Sequence, residues 1–212
     1  MSTASWFPTI FRASWPSTPD LSYVDYKRGG IPLQELSLNV LDIAQNSIRA
    51  NATLITISIS ENTAEHLMEI SVSDNGCGMS EEQVAHVMDP FFTTRTTRKV
   101  GLGVPLFRMS AEATGGSFSI RSKLGEGTVT TASYHTDHLD MLPLGDMTAT
   151  ITSLISVNPD LDFVYIRTAD GKSFTLDTRE LRAVLEGVPL NTPDVLLFIR
   201  DMINENTAEL SS

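Results

Sequence analysis

With a single cysteine, Cys77, the chain can form no internal disulfide and has no second thiolate with which to hold zinc. That usage fits a reducing compartment, and a cytoplasmic location is expected. Basic residues are scarce. Fifteen Lys and Arg against 26 Asp and Glu leave a formal charge of -11, so neither nucleic acid nor an anionic membrane surface is expected as the main partner. Long apolar runs are missing too. None approaches the roughly 18 residues that span a bilayer, and the N-terminal stretch, broken by Pro8 and Pro16 and without a charged n-region, does not read as a signal peptide. The rest is ordinary globular material, 41% hydrophobic and 19% charged.

The order of elements can be read from periodicity. Residues 1–30 show no sustained period and read as an irregular arm that packs on its own domain or on a second subunit, which makes a homodimer one of the expected arrangements. Helical spacing then places Leu33, Leu36, Val40, Ile43 and Ser47 on one side of a helix from Leu33 to Ala50. Glu35, Asn39, Asp42, Asn46 and Arg49 fall in one stripe on the other side. A solvated face explains such a stripe, yet two interior Asn cost helix stability that Lys or Glu would not. Residues 53–60 and 66–73 alternate as an antiparallel pair of strands, and Ser80 with Gln83 forms a capping-box signature for a short helix. After a polar stretch, Leu106, Met109 and Ala113 mark the inner face of a third helix, and strands follow at 117–122 and 128–135. This order implies an α+β fold, a two-layer sandwich with a mixed sheet and helices on one face. The pattern lapses near residues 137–145. Beyond it, 144–212 reads as a small α-β-β-α-α extension, its last two helices capped by Thr178 and Thr192 and serving a partner, a dimer contact or the core itself.

Two stretches carry chemistry. DNGCGM, Asp74 to Met79, puts a carboxylate at a strand's end beside two glycines that let the main chain approach a flat ligand. An ionised Asp only accepts hydrogen bonds, which suits the exocyclic amine of adenine, although Asp-Asn-Gly is also a common turn. The second stretch, Phe91 to Lys99, gathers Arg95, Arg98 and Lys99 and runs into Gly101-Leu102-Gly103 ahead of a helix. A glycine turn feeding a helix N-terminus is a ready anion site. Gly171-Lys172-Ser173 lacks the upstream glycine of a P-loop and reads as a hairpin turn.

In order along the chain stand DIAQNSIRANAT (Asp42 to Thr53), DNGCGM, DPFFTTR (Asp89 to Arg95) with GLGVPL (Gly101 to Leu106), and GEGT (Gly125 to Thr128). This series resembles the N, G1, F/G2 and G3 boxes of the GHKL ATP-binding superfamily of gyrase, a heat-shock chaperone, histidine kinases and MutL. The resemblance covers roughly residues 33–135 and implies an ATP-binding domain over 31–138, with the basic stretch most like histidine kinases and NSIRANAT more like the MutL and anti-sigma branches. It implies ATP and Mg²⁺ as cofactors. It also implies Asn46 as the metal-coordinating amide, Asp74 as the adenine-reading carboxylate with Gly76, Gly78 and Met79 beside it, and Thr128 in the same network. Gly101, Leu102 and Gly103 fall on the phosphate side, with Arg95, Arg98 or Lys99 to neutralise charge. The whole chain also resembles stand-alone ATP-binding proteins whose genes neighbour those of iron-only hydrogenases.

Two departures from the pattern bear on activity. Where ATPases of the superfamily carry a Glu as general base, four residues before the Asn, this chain has Asp42, one methylene shorter. No helical hairpin with a phosphoacceptor His is seen upstream, so a kinase of this form is expected to act on a separate protein. Three functions fit: transfer of phosphate to a protein partner, slow ATP hydrolysis, or nucleotide-dependent regulation without turnover, as in anti-sigma-like modules.

Overall fold

The computed structural model describes residues 35–88 and 103–210. The chain divides into Met1–Pro32 and Leu33–Ser212, and the second unit holds all the elements named below. Its elements are α1 (Leu36–Arg49), β1 (Leu54–Asn62), β2 (Leu67–Asp74), α2 (Glu81–Val87), α3 (Gly103–Ala113), β3 (Ser117–Lys123), β4 (Gly127–His135), α4 (Met147–Val157), β5 (Asp162–Ala169), β6 (Lys172–Asp177), α5 (Thr178–Leu185) and α6 (Pro193–Leu210).

Alternation in the strands produces one buried sheet face. Ile55, Ile57 and Ile59 of β1, Met68, Ile70 and Val72 of β2, and Ala132 and Tyr134 of β4 are all buried. Against them pack Leu36, Val40 and Ile43 of α1, Val104, Phe107 and Ala111 of α3, Ile151 and Ile155 of α4, and Ile199 and Ile203 of α6. The result is the expected two-layer α+β sandwich. Each of these large side chains contributes about 1.5–3 kcal/mol by leaving water, so α1 is fixed firmly enough to hold functional groups on its other side. Ser71, Thr131, Thr56 and Ser58 point the opposite way, where Ser71 Oγ and Thr131 Oγ1 share a hydrogen bond of 3.3 Å.

The strand order is β3-β4-β2-β1-β5-β6. β1 and β5 are parallel over Leu54↔Asp162 to Glu61↔Ala169, and the other pairings are antiparallel. The two C-terminal strands therefore lengthen the sheet formed by β1 to β4. Phe163 and Tyr165 continue the row begun by Ile55 and Ile57, and both are 1% exposed. The segment expected to link two domains is also bonded to α1: the free N-H groups of its first turn, at Leu36 and Ser37, donate to Pro143 O (3.0 Å) and Leu144 O (2.8 Å). Asp170, held at φ 48°, accepts from both Thr63 N and Thr63 Oγ1 and ties the two hairpins together.

Two local expectations differ. The inner face of α3 is Val104, Phe107 and Ala111, nearly opposite the expected Leu106, Met109 and Ala113, of which Met109 is 59% exposed and Ala113 is also exposed. Phe107 takes the interior because its ring meets Phe118 edge-on at 5.9 Å and lies 6.2 Å from Tyr134. Asp177 rather than Thr178 caps α5, accepting from Arg179 N, while Thr178 Oγ1 accepts from Phe163 N at 2.8 Å.

Phe163→Ala is expected to cost about 3–5 kcal/mol and to shift a single unfolding transition common to both halves of the sheet. Urea unfolding that resolves a separate C-terminal transition would contradict that continuity. Burial pushes the Tyr165 phenol up to about 12, against an opposing pull from Arg167. A raised folded pKa stabilises fully below the unfolded value near 10 and is lost as pH rises through the folded one. Tyr165→Phe should therefore flatten the alkaline fall in melting temperature over that window.

Candidate nucleotide site

The site gathers where β2 ends. Asp74, half-buried, is gripped from two sides: Ser47 Oγ of α1 donates to its Oδ2 at 2.6 Å, and Gly76 N donates to its Oδ1 at 2.9 Å. A carboxylate has about four acceptor positions, so these two bonds fix its orientation and leave capacity for an incoming donor. Asn75 turns the other way. Its Oδ1 accepts from Thr53 N and Leu54 N, clamping the start of β1.

The following loop is tied to α1 and to the β3-β4 hairpin. Cys77 N donates to Ala50 O at 2.9 Å, and Cys77 O accepts from Gly125 N at 2.8 Å. Gly78 sits at φ 65°, and a Cβ there would lie 1.9 Å from Lys123 O. No other residue fits that approach. Met79 N donates to Ser122 Oγ at 2.8 Å, and Ser122 Oγ lies 2.8 Å from Thr128 Oγ1. Thr128 is the register partner of Asp74 in the β2-β4 ladder. Gly127 crosses so closely that a Cβ there would lie 1.9 Å from Asp74 O.

On α1, Asp42 and Asn46 stand one turn apart beside Ser47. Asp42 is exposed and packs against the first residue of α3: a Cβ on Gly103 would lie 2.6 Å from Asp42 Cβ. Asn46 Oδ1 accepts from Arg49 Nη1 at 3.1 Å. The expected stripe is therefore not uniformly solvated, for Asn39 is buried at 7% exposure.

Of the residues expected from sequence, the structure gathers Asp42, Asn46, Asp74, Gly76, Gly78, Met79, Gly103 and Thr128 around the end of β2, the facing side of α1 and the start of α3. Arg95, Lys99, Gly101 and Leu102 lie outside the described residues. Ser47 and Ser122 were missed as site residues. Ser47 reads as one more member of the buried face of α1, and only pairing β3 with β4 in register would have set Ser122 beside Thr128.

The family model of histidine kinase-, DNA gyrase B-, and HSP90-like ATPases matches residues 31–138. The chain belongs to that family. Curated relatives agree with its histidine-kinase side. The C4-dicarboxylate transport sensor protein DctB of Pseudomonas aeruginosa is 31% identical over 102 residues, which are 48% of this chain and 17% of that protein. Sporulation kinase C of Bacillus subtilis is 34% identical over 91 residues, 42% of this chain and 21% of that one. Sensor protein SrrB of Staphylococcus aureus is 33% identical over 101 residues, 45% and 17% respectively. The chain thus spans about a fifth or less of the length of these relatives. Among solved structures, the Aquifex aeolicus MutL ATPase domain complexed with ADP superposes with a TM-score of 0.44 at 16% identity, over 71% of this chain and 68% of that one.

An ATPase domain of this family implies an adenine nucleotide, and the half-satisfied Asp74 carboxylate fits one. Asp74→Asn should abolish ATP binding, since an amide weakens the charge-assisted bond and can present a donor to the adenine amine. Ser47→Ala, which frees the carboxylate to rotate, should weaken binding about tenfold, corresponding to about 1.4 kcal/mol. Calorimetric titration with unchanged affinity in either variant would remove that residue from the site.

Proposed function

We propose that this protein binds Mg-ATP between α1, the loop after Asp74 and the start of α3, and transfers the γ-phosphoryl group to a side chain of a separate protein in the cytoplasm. The observation that carries the reading is Asp42, an exposed carboxylate held against Gly103, where the family resemblance puts the phosphates. In such a transfer the bond from the γ-phosphorus to its bridging oxygen breaks, a bond to the acceptor nitrogen or oxygen forms, ADP leaves, and the acceptor proton passes to Asp42. A His acceptor needs little help to be neutral at physiological pH, which suits a short carboxylate better than activating water would. The kinase and sensor relatives point the same way. No helix among the described residues is long and apolar enough to cross a membrane.

Magnesium fits as a cation brought in with phosphate. Among the described residues no group of three His, Cys, Asp or Glu could hold a metal, and Mg²⁺ needs only one or two protein oxygens when phosphates and water supply the rest. On α1 the oxygen proposed to hold it is Asn46 Oδ1, which also accepts from Arg49. Arg95 and Lys99 are proposed to neutralise charge during transfer, and Gly101, Leu102 and Gly103 to line the phosphates. Asp42 also favours a second reading, slow hydrolysis or an anti-sigma-like regulatory module, because a base withdrawn by one methylene costs on the order of a hundredfold in rate.

The test is incubation with labelled ATP, Mg²⁺ and the protein products of neighbouring genes, reading free phosphate and protein-bound label together. Asp42→Asn should leave Mg-ATP affinity intact and lower transfer about 10²- to 10⁴-fold. Asn46→Ala should weaken ATP binding only when Mg²⁺ is present. Label that appears only as free phosphate would favour the ATPase, and no label in either form the regulatory module.

A further inference from the structure

α1 has a third side, away from the nucleotide, where Leu41 and Ile48 are partly buried at the edge of the core. There Leu41, Ile48 and Arg49 border a groove of about 330 Å³ against α4. Ser153 and Val157 of α4 also line its continuation, about 570 Å³, whose far wall is Leu196, Leu197 and Arg200 of α6. The two halves therefore form one trough along α4. Its floor is a helix with no charged residue, and its apolar groups are unusually open, with Val157 78% exposed and Leu197 46%. A trough floored by small residues between two helices admits a third helix, about 10–12 Å across with its side chains.

Charge selects among occupants. In a chain of net charge -11, no Asp or Glu is among the described residues lining either half, whereas Arg49 lines one half from α1 and Arg200 the other from α6. Arg200 meets its neighbour Asp201 only at 3.3 Å with both side chains half exposed, a contact worth little. Arg49 spends one N-H on Asn46 and keeps the remainder of its fork. A second copy docking face to face would set these arginines against their own kind. We infer that the α1-α4-α6 trough is the docking site for an amphipathic helix of the partner protein, one whose apolar stripe is flanked by carboxylates.

Arg49 lies at the edge shared with Asn46, so the docked helix would sit beside the nucleotide and bring an acceptor side chain within reach of it. This inference rests on the reading of the chain as acting on a partner, and the two fail separately, since docking is measured without nucleotide.

Two fluorescein-labelled synthetic helices with the same leucine stripe, one flanked by Glu and the other by Lys, are titrated with the full chain by fluorescence anisotropy. At about 0.1 M salt, where screening extends over about 10 Å, the Glu helix should bind at least about tenfold more tightly, a difference of about 1.4 kcal/mol. Arg200→Glu, which takes the two lining charges from +2 to 0, should remove that preference while leaving Mg-ATP affinity unchanged, an outcome that misfolding cannot mimic. Val157→Asp should weaken both helices. Equal binding of the two helices, no binding of either, or a dimer in sedimentation velocity that Arg200→Glu dissolves would overturn the inference. Discrimination between the helices by a chain that binds no Mg-ATP would leave the trough standing and remove the transfer reading instead.

Discussion

The bond from Ser47 to Asp74 joins the two layers of the sandwich at the point where they become a site. Asp74 ends a strand whose inward residues are among the most deeply buried of the chain, and Ser47 belongs to a helix seated on the same core. Ser47 is itself buried and its Oγ also lies 3.4 Å from Ile43 O one turn back. A hydroxyl and a backbone N-H thus hold the carboxylate in one orientation, and a receptor group set before ligand arrives loses little entropy on binding. Everything nearer the solvent depends on that anchor: the Cys77 turn, the close crossings at Gly78 and Gly127, and the hydroxyl pair of Ser122 and Thr128.

The same helix serves three directions. Its inner side, Leu36, Val40 and Ile43, holds it to the sheet, a second side presents Asp42 and Asn46, and a third opens onto the trough with α4. The C-terminal segment makes the third direction possible. β5 extends the sheet beyond β1, and the helices on either side of it, α4 and α6, are carried onto the same face as α1. What looks along the sequence like a tail of separate function is built into the sheet that also carries Asp74 and Thr128.

Much of this was legible in the residues because their signals are local. Alternation placed the strands within about two residues, the capping box at Ser80 was formed as expected, and the four boxes gave the family. Signals that depend on distant pairing were not legible. Nothing in residues 162–169 says that they pair in parallel with 54–61, because a half-apolar strand of that length fits any open edge. The inner face of α3 lies nearly opposite Leu106, Met109 and Ala113 because Phe107 finds two aromatic partners, Phe118 and Tyr134, that lie beyond the helix in sequence. Ser47 and Ser122 escaped notice for the same reason. A serine becomes part of a site only through the partner it meets.

The claim at the centre is that Asp74, held by Ser47, reads the exocyclic amine of adenine. Inosine triphosphate carries a carbonyl where adenine has that amine and is otherwise close in shape, so it would present an acceptor to a carboxylate that can only accept. A site built around a substrate's donor discriminates strongly against an analogue lacking it. Calorimetric titration of the full chain with ATP and with inosine triphosphate, both with Mg²⁺, should show at least about a hundredfold preference for ATP, or about 2.7 kcal/mol. Equal affinity for the two would contradict the assignment of Asp74.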